Sequence, residues 1–240
     1  MNWLRDVAVL VMIVSLFVAC AADCAGQQDS WQKDFGISER TLLSTGRNQY
    51  FILEPGFQLL LEGGDEKLAI TVLDQTKKVN GVITRVVEER EWKRGSLIEV
   101  SRNFFAICER TGDIFYFGEE VDDYKGGKVV SHKGAWLAGE NGAREGLMMP
   151  GKPEVGMKHY QEIAPDVAMD RAEVVSLDVT FETPAGSFSG CLKTKESTPL
   201  NSFEREFKIY APGIGLIQDQ TLLLTRYRFI NKNQADSSGG

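Results

Sequence analysis

From Gln49 to Ile230 the chain is cut into short β-prone runs by turn residues, and this spacing limits the fold more than any other feature. Phe57–Glu62 ends at Gly63-Gly64-Asp65, and Lys67–Thr76 ends at Asn80-Gly81, a strong hairpin pair. Val82–Lys93 and Leu97–Arg110 follow, with Thr111-Gly112-Asp113 after the second. Ile114–Phe117 is a short aromatic run, and Val129–Leu137 comes after the Gly126-Gly127 turn. Met157–Ile163, Glu173–Glu182, Ser187–Glu196, Phe203–Ala211 and Ile214–Phe229 complete the series. Phe203, Arg205, Phe207 and Ile209 alternate with Glu204, Glu206, Lys208 and Tyr210, the period of two that a strand requires. The links are too short for parallel crossovers, so the expected fold is all-β. It is a single antiparallel, strongly curved sheet, an open barrel or a sandwich, of about ten strands. Only Asp166–Val175 offers a turn of helix, and the Gly- and Pro-bearing stretch Ala138–Glu154 is expected as a long loop.

The chain has 240 residues, long enough for one large apolar core. Its formal charge of −7 argues against a nucleic-acid partner, which needs a basic face. Residues 1–25 have the plan of a secretory signal peptide: Arg5, then the uncharged run Val7–Ala19, then small residues. Asp23 stops the run short of a membrane span, although an uncleaved anchor is the alternative. Cleavage near Ala19-Cys20-Ala21 fits the small-x-small rule. Phe17-Val18-Ala19-Cys20 also resembles a bacterial lipoprotein box, which would attach the protein to a membrane through a lipid on Cys20; Phe17 departs from the usual Leu. The expected location is therefore exported, periplasmic or outer-membrane-associated, or secreted. Residues 26–48 read as a polar linker or loosely docked arm, 49–230 as the β domain, and 231–240 as a disordered tail. Cys108 and Cys191 lie on separate expected strands, and the plainer reading leaves them unbridged.

Several segments together resemble a group of exported bacterial β-rich proteins to which no activity is attached. They are Tyr50–Gly56, Asp113–Asp122, Gly127–Trp136, Met149-Pro150, Ala172–Ser176, Pro184–Phe188, Cys191–Glu196 and Tyr210–Leu216. The resemblance spans Gln49 to Asp219. It implies export and a β-rich fold, and it brings no catalytic residues with it.

Reactive motifs fail on inspection. Gly186-Ser187-Phe188-Ser189-Gly190 has Phe where an esterase elbow needs Ser, and Gly213-Ile214-Gly215 opens no helix. Glu119, Glu120, Asp122 and Asp123 offer oxygens of the kind Ca²⁺ takes, but without the order of an EF-hand loop; a solvated acidic turn opposed by Lys125 and Lys128 is the plainer reading. His132, His159 and Glu162 are the residue types of a zinc hydrolase, yet His159 and Glu162 would point to opposite faces of a strand. A metal-assisted hydrolase is thus the alternative, and no cofactor is expected. The first expectation is a non-enzymatic envelope protein that binds an apolar small molecule or a protein partner on the concave face of its sheet. Phe115, Phe117, Trp136, Met148 and Met149 are the candidate ligand-binding residues. Ordinary core packing is the competing explanation for these aromatics, and recruitment of an envelope protein along an edge strand is a third reading.

Overall fold

The computed structural model describes residues 31–230, which form an all-β unit. The expected signal peptide, lipid box and disordered tail lie outside the described residues. One 3₁₀ turn, Ile37–Glu39, precedes the strands. They are β1 (Leu42–Leu43), β2 (Gly46–Asn48), β3 (Phe51–Leu53), β4 (Phe57–Gly63), β5 (Glu66–Val79), β6 (Val82–Lys93), β7 (Ser96–Cys108), β8 (Ile114–Lys125) and β9 (Lys128–Ser131). Then come β10 (Trp136–Leu137), β11 (Arg144–Met149), β12 (Lys158–Tyr160), β13 (Glu162–Ile163), β14 (Arg171–Thr183), β15 (Gly186–Thr198), β16 (Asn201–Ala211), β17 (Gly215–Asp219) and β18 (Leu222–Phe229).

The main ladder runs β12-β14-β15-β16-β17-β18-β4-β5-β6-β7-β8-β11-β13, every pair antiparallel. Its two ends, β12 and β13, are separated in sequence by Gln161 alone. One bent segment therefore pairs with β14 through its first half and with β11 through its second, so the sheet curls into a nearly closed barrel. Gly146 on β11 makes this seam: a Cβ there would lie 2.1 Å from the Gln161 carbonyl oxygen. No other residue lets the two backbones approach so closely.

Four expectations change. Ile114–Phe117 is the start of a twelve-residue strand, because Gly118 (φ 124°) absorbs a bulge and the strand continues through the acidic residues. The supposed acidic turn is thus strand, with neighbouring carboxylates sent to opposite faces. Ala138–Glu154 is not all loop, since its centre is β11. Asp166–Val175 forms no helix; Asp166 sits in a turn (φ 63°) and β14 begins at Arg171. Residues 31–48, expected as a linker or loose arm, are pinned to the wall: β1 pairs with β7, and Phe35 is buried against Phe115, their rings 5.9 Å apart. The hairpin at Asn80-Gly81 forms as read, and Cys108 and Cys191 are buried free thiols.

Candidate functional site

The register decides which side chains face the barrel interior. Rows of cross-strand partners run Val72–Val87–Asn103–Glu119, Leu59–Ile70–Glu89–Ser101, and Leu61–Leu68–Glu91–Glu99–Asp123. Across the barrel, Leu192 pairs with Tyr210, Thr194 with Lys208, and Glu196 with Glu206. Val87, Glu89, Lys208, Tyr210 and Asp219 line one cavity of about 80 Å³, although β6 and β16 are not neighbours in the sheet. That cavity is the lumen between opposite walls.

One end of the lumen is apolar. Phe57, Leu59, Val72, Val87, Phe105, Met148 and Leu216 line it, and Phe51 of β3 lies edge-on to Phe105 at 5.1 Å. The remainder is acidic. Glu89 and Asp219 line the cavity beside Lys208, Glu91, Glu162, Glu196 and Glu206 lie within its electrostatic reach, and Glu99 and Glu119 continue the acidic rows. Lys208 is 3.1 Å from Glu196 and 3.5 Å from Asp219. Burial works against its charge, but Glu196 and Asp219 outweigh that and hold the ammonium well above its ordinary range. Glu196 also accepts from Gln161 (3.2 Å), Thr194 (3.3 Å) and Tyr210 (3.4 Å).

Lys208 is committed to that pair, and its pull on the other carboxylates is outweighed by their burial. Burial, reinforced by Glu91, Asp219 and Glu119, pushes Glu89 to about 8 despite the opposing pull of Lys208. Burial and then Glu99 raise Glu91 to about 7. Burial raises Glu119 to about 7 against the lowering influence of the nearby Tyr116 hydroxyl, which itself donates to Asn103. Glu162 is pushed far above the usual carboxylate range by burial, then Asp170 and Glu119. In the neutral range Glu89 therefore holds a proton in place of a counter-ion, and Glu91 and Glu119 are close to their midpoints. Such a surface gains most from a ligand that brings positive charge with it.

The sequence-read candidates scatter. Phe115 and Phe117 are fully buried on the opposite face of β8 from Tyr116, so they look away from the lumen. The Arg40 guanidinium covers the Phe115 ring at 5.1 Å. Met149 is buried, and Trp136, edge-on to Tyr116 at 5.3 Å, borders a second cavity of about 210 Å³ that Glu119 and Val167 also line. Only Met148 reaches the lumen cavity. Alternation of Phe115, Tyr116 and Phe117 is as read; the concave face belongs to Tyr116.

His132, His159 and Glu162 do not assemble, and the described residues contain no group of three or more His, Cys, Asp or Glu side chains placed to hold a metal ion. His132 is exposed, with Nδ1 3.0 Å from Asp122. His159 is sealed at 1% exposure with neither ring nitrogen hydrogen-bonded, and burial lowers it to about 4 against the weaker pull of Glu196 and Asp113. It is a neutral core imidazole.

Sequence reasoning missed Glu89, Glu91 and Lys208, and read Glu119 only as part of an acidic cluster. A signal was present: on β6, Val87, Glu89 and Glu91 share one face, so an apolar stripe runs directly into glutamates. Fold and geometry together define a small β-barrel with an acidic lumen. No protein-family model matches the chain, and neither a curated protein nor a solved structure matches it.

Proposed function

We propose that this is an exported, non-enzymatic binding protein whose barrel lumen takes a small organic cation, an apolar body carrying an amine. The observation that carries this reading is the meeting, in one lumen, of an apolar cavity and a cluster of carboxylates, with Lys208 the one cation among the residues that line the cavity. The body would lie against Val72, Val87 and Phe105, and the ammonium would reach Glu89. A cavity of about 80 Å³ suits an aliphatic chain of roughly four carbons, given that about 150 Å³ holds benzene. Apolar burial supplies affinity, about 25 cal/mol per Å² before ordering costs. The carboxylates supply selection, because a fatty acid would bring another carboxylate with no cation to pair it.

Binding of an ammonium lowers the carboxylate pKa values, so uptake releases protons and strengthens as pH rises from 6 to 8.5. Calorimetric titration with butylamine, butyrate and butanol tests this. The expected result is saturable binding of butylamine alone, tighter at pH 8.5, and at least tenfold weaker in Glu89→Gln. Butyrate binding as well as butylamine, or no saturable heat with any of the three, would overturn the reading.

A further inference from the structure

The outer face of the same wall carries a second, oppositely charged groove. It lies across β18, β4, β5 and β6 and encloses about 270 Å³. The register builds it from two rows, Arg226–Leu60–Ala69–Arg90 and Arg228–Gln58–Thr71–Glu88. Short residues in the middle strands make the floor, and long cationic side chains on the outer strands make the walls. Arg226 and Arg90 stand three strands apart, about 14 Å at the usual strand spacing, so two extended guanidinium arms can close over the floor from both sides. Lys67 and Trp92 close one end, with the ammonium 5.1 Å from the ring centroid.

Four cations face one carboxylate here, in a chain of net charge −7. That carboxylate, Glu88, is occupied by Arg90 at 2.7 Å. Arg226 has no side-chain partner among the described residues, and Arg228 reaches only the neutral Gln58 oxygen at 3.4 Å. Gln58 is held in turn, donating to Thr71 at 3.0 Å, so the floor is organised without a counter-ion.

We propose that this groove is an anion site for a compact phosphate monoester, with the phosphate between Arg226 and Arg228 and its organic body over Leu60 and Ala69 towards Trp92. The uncompensated charge favours a dianion over a carboxylate, and the guanidinium fork matches phosphate oxygens two at a time. The site lies on the other side of the wall from the lumen and does not depend on what the lumen binds. The phosphate ester belongs either to a soluble metabolite or to a lipid headgroup.

The test has one arm for each source, both at low salt because exposed charges are screened within about 10 Å at 0.1 M. In the first, glucose 1-phosphate is titrated calorimetrically against wild type, Arg226→Gln, the Arg226→Gln/Arg228→Gln double variant and Arg94→Gln, with glucose as the neutral control. Arg94 is an exposed cation outside the groove, paired with Asp65. In the second, the same proteins are sedimented with phosphatidic acid or phosphatidylcholine vesicles. Unchanged thermal midpoints certify the fold of each variant. Expected is saturable binding in at least one arm, at least tenfold weaker in Arg226→Gln, abolished in the double variant and retained in Arg94→Gln. Absence of binding in both arms overturns the proposal. So does a double variant that binds like wild type, or a loss in Arg94→Gln equal to that in Arg226→Gln.

Discussion

Glu88 and Glu89 are neighbours in sequence and opposites in chemistry. Glu88 points out of the barrel and meets Arg90 at 2.7 Å and Arg102 at 3.7 Å. Glu89 points in, meets other carboxylates, and holds its proton to about pH 8. The same contrast recurs on β8, where Glu120 pairs with Lys77 on the outside while Glu119 is pushed up to about 7 within. A one-residue step along a strand thus moves an identical side chain from a neutralised surface to a cation-starved lumen. Around Glu88 and Glu120 the outer wall matches its charges. The inner wall leaves its charges unmatched, an arrangement that a binding site uses and a structural core avoids.

Breaking the wall removes the distinction. Gly146→Val forces apart the seam at Gln161 and is expected to cost more than about 3 kcal/mol, the range of severe backbone and packing clashes. Thermal unfolding checks it, and in any folded fraction the lumen carboxylates should titrate near ordinary values. Next in size is Lys208→Met, which leaves Glu196 and Asp219 buried without their cation. Denaturant unfolding should show a loss of about 3 kcal/mol at pH 8, and less at pH 5, where carboxylates take up protons instead.

Two substitutions on adjacent residues sharpen the contrast. Glu89 has a folded pKa above its unfolded value, so the fold holds a proton that the unfolded chain releases. Its contribution is present below about pH 4.3 and is lost as pH rises towards 8. Glu89→Gln should therefore stabilise by roughly 2 kcal/mol at pH 8.5 and change little at pH 4. Glu88→Gln should do the reverse, costing about 1 kcal/mol with little variation between pH 6 and 8, because two arginines lose their partner. Equal effects of the two would erase the inside–outside distinction. The smallest effect belongs to His159. Its folded pKa lies below the unfolded value, so stability falls as pH drops from about 6.5 towards 4. His159→Leu should be within about 1 kcal/mol of wild type at pH 7 and should flatten that acid limb in an unfolding series.

Much of the architecture was legible in the sequence because hairpin turns and period-two alternation are local signals. Val82–Lys93 matches β6 at both ends, and Asn80-Gly81 turns where it was read. The seam was not legible: Gly146 and Gln161 meet only once the whole ladder has curled, and neither residue type announces it. Length was misjudged on β8 because Gly118 and the acidic residues after it carry turn chemistry locally, while Arg102 at 3.2 Å from Asp122 and the neighbouring strand override it. The lumen was not picked out for a related reason. Alternation separates two faces without saying which is concave, and aromatic weight favoured Phe115 and Phe117 over the face bearing Tyr116 and Glu119. Glutamates following a valine stripe read as a strand leaving the core, whereas here they continue along an enclosed wall.

The central claim is that burial among other carboxylates holds the protons of Glu89, Glu91 and Glu119 into the neutral range. Carbon-13 NMR titration of the glutamate carboxyl groups, with and without butylamine, tests it most directly. The expected result is resonances for Glu89, Glu91 and Glu119 titrating between about pH 7 and 8 in the free protein, and moving to lower pH when the amine is added. Glutamates that all titrate near 4 to 5, with no response to the amine, would contradict it.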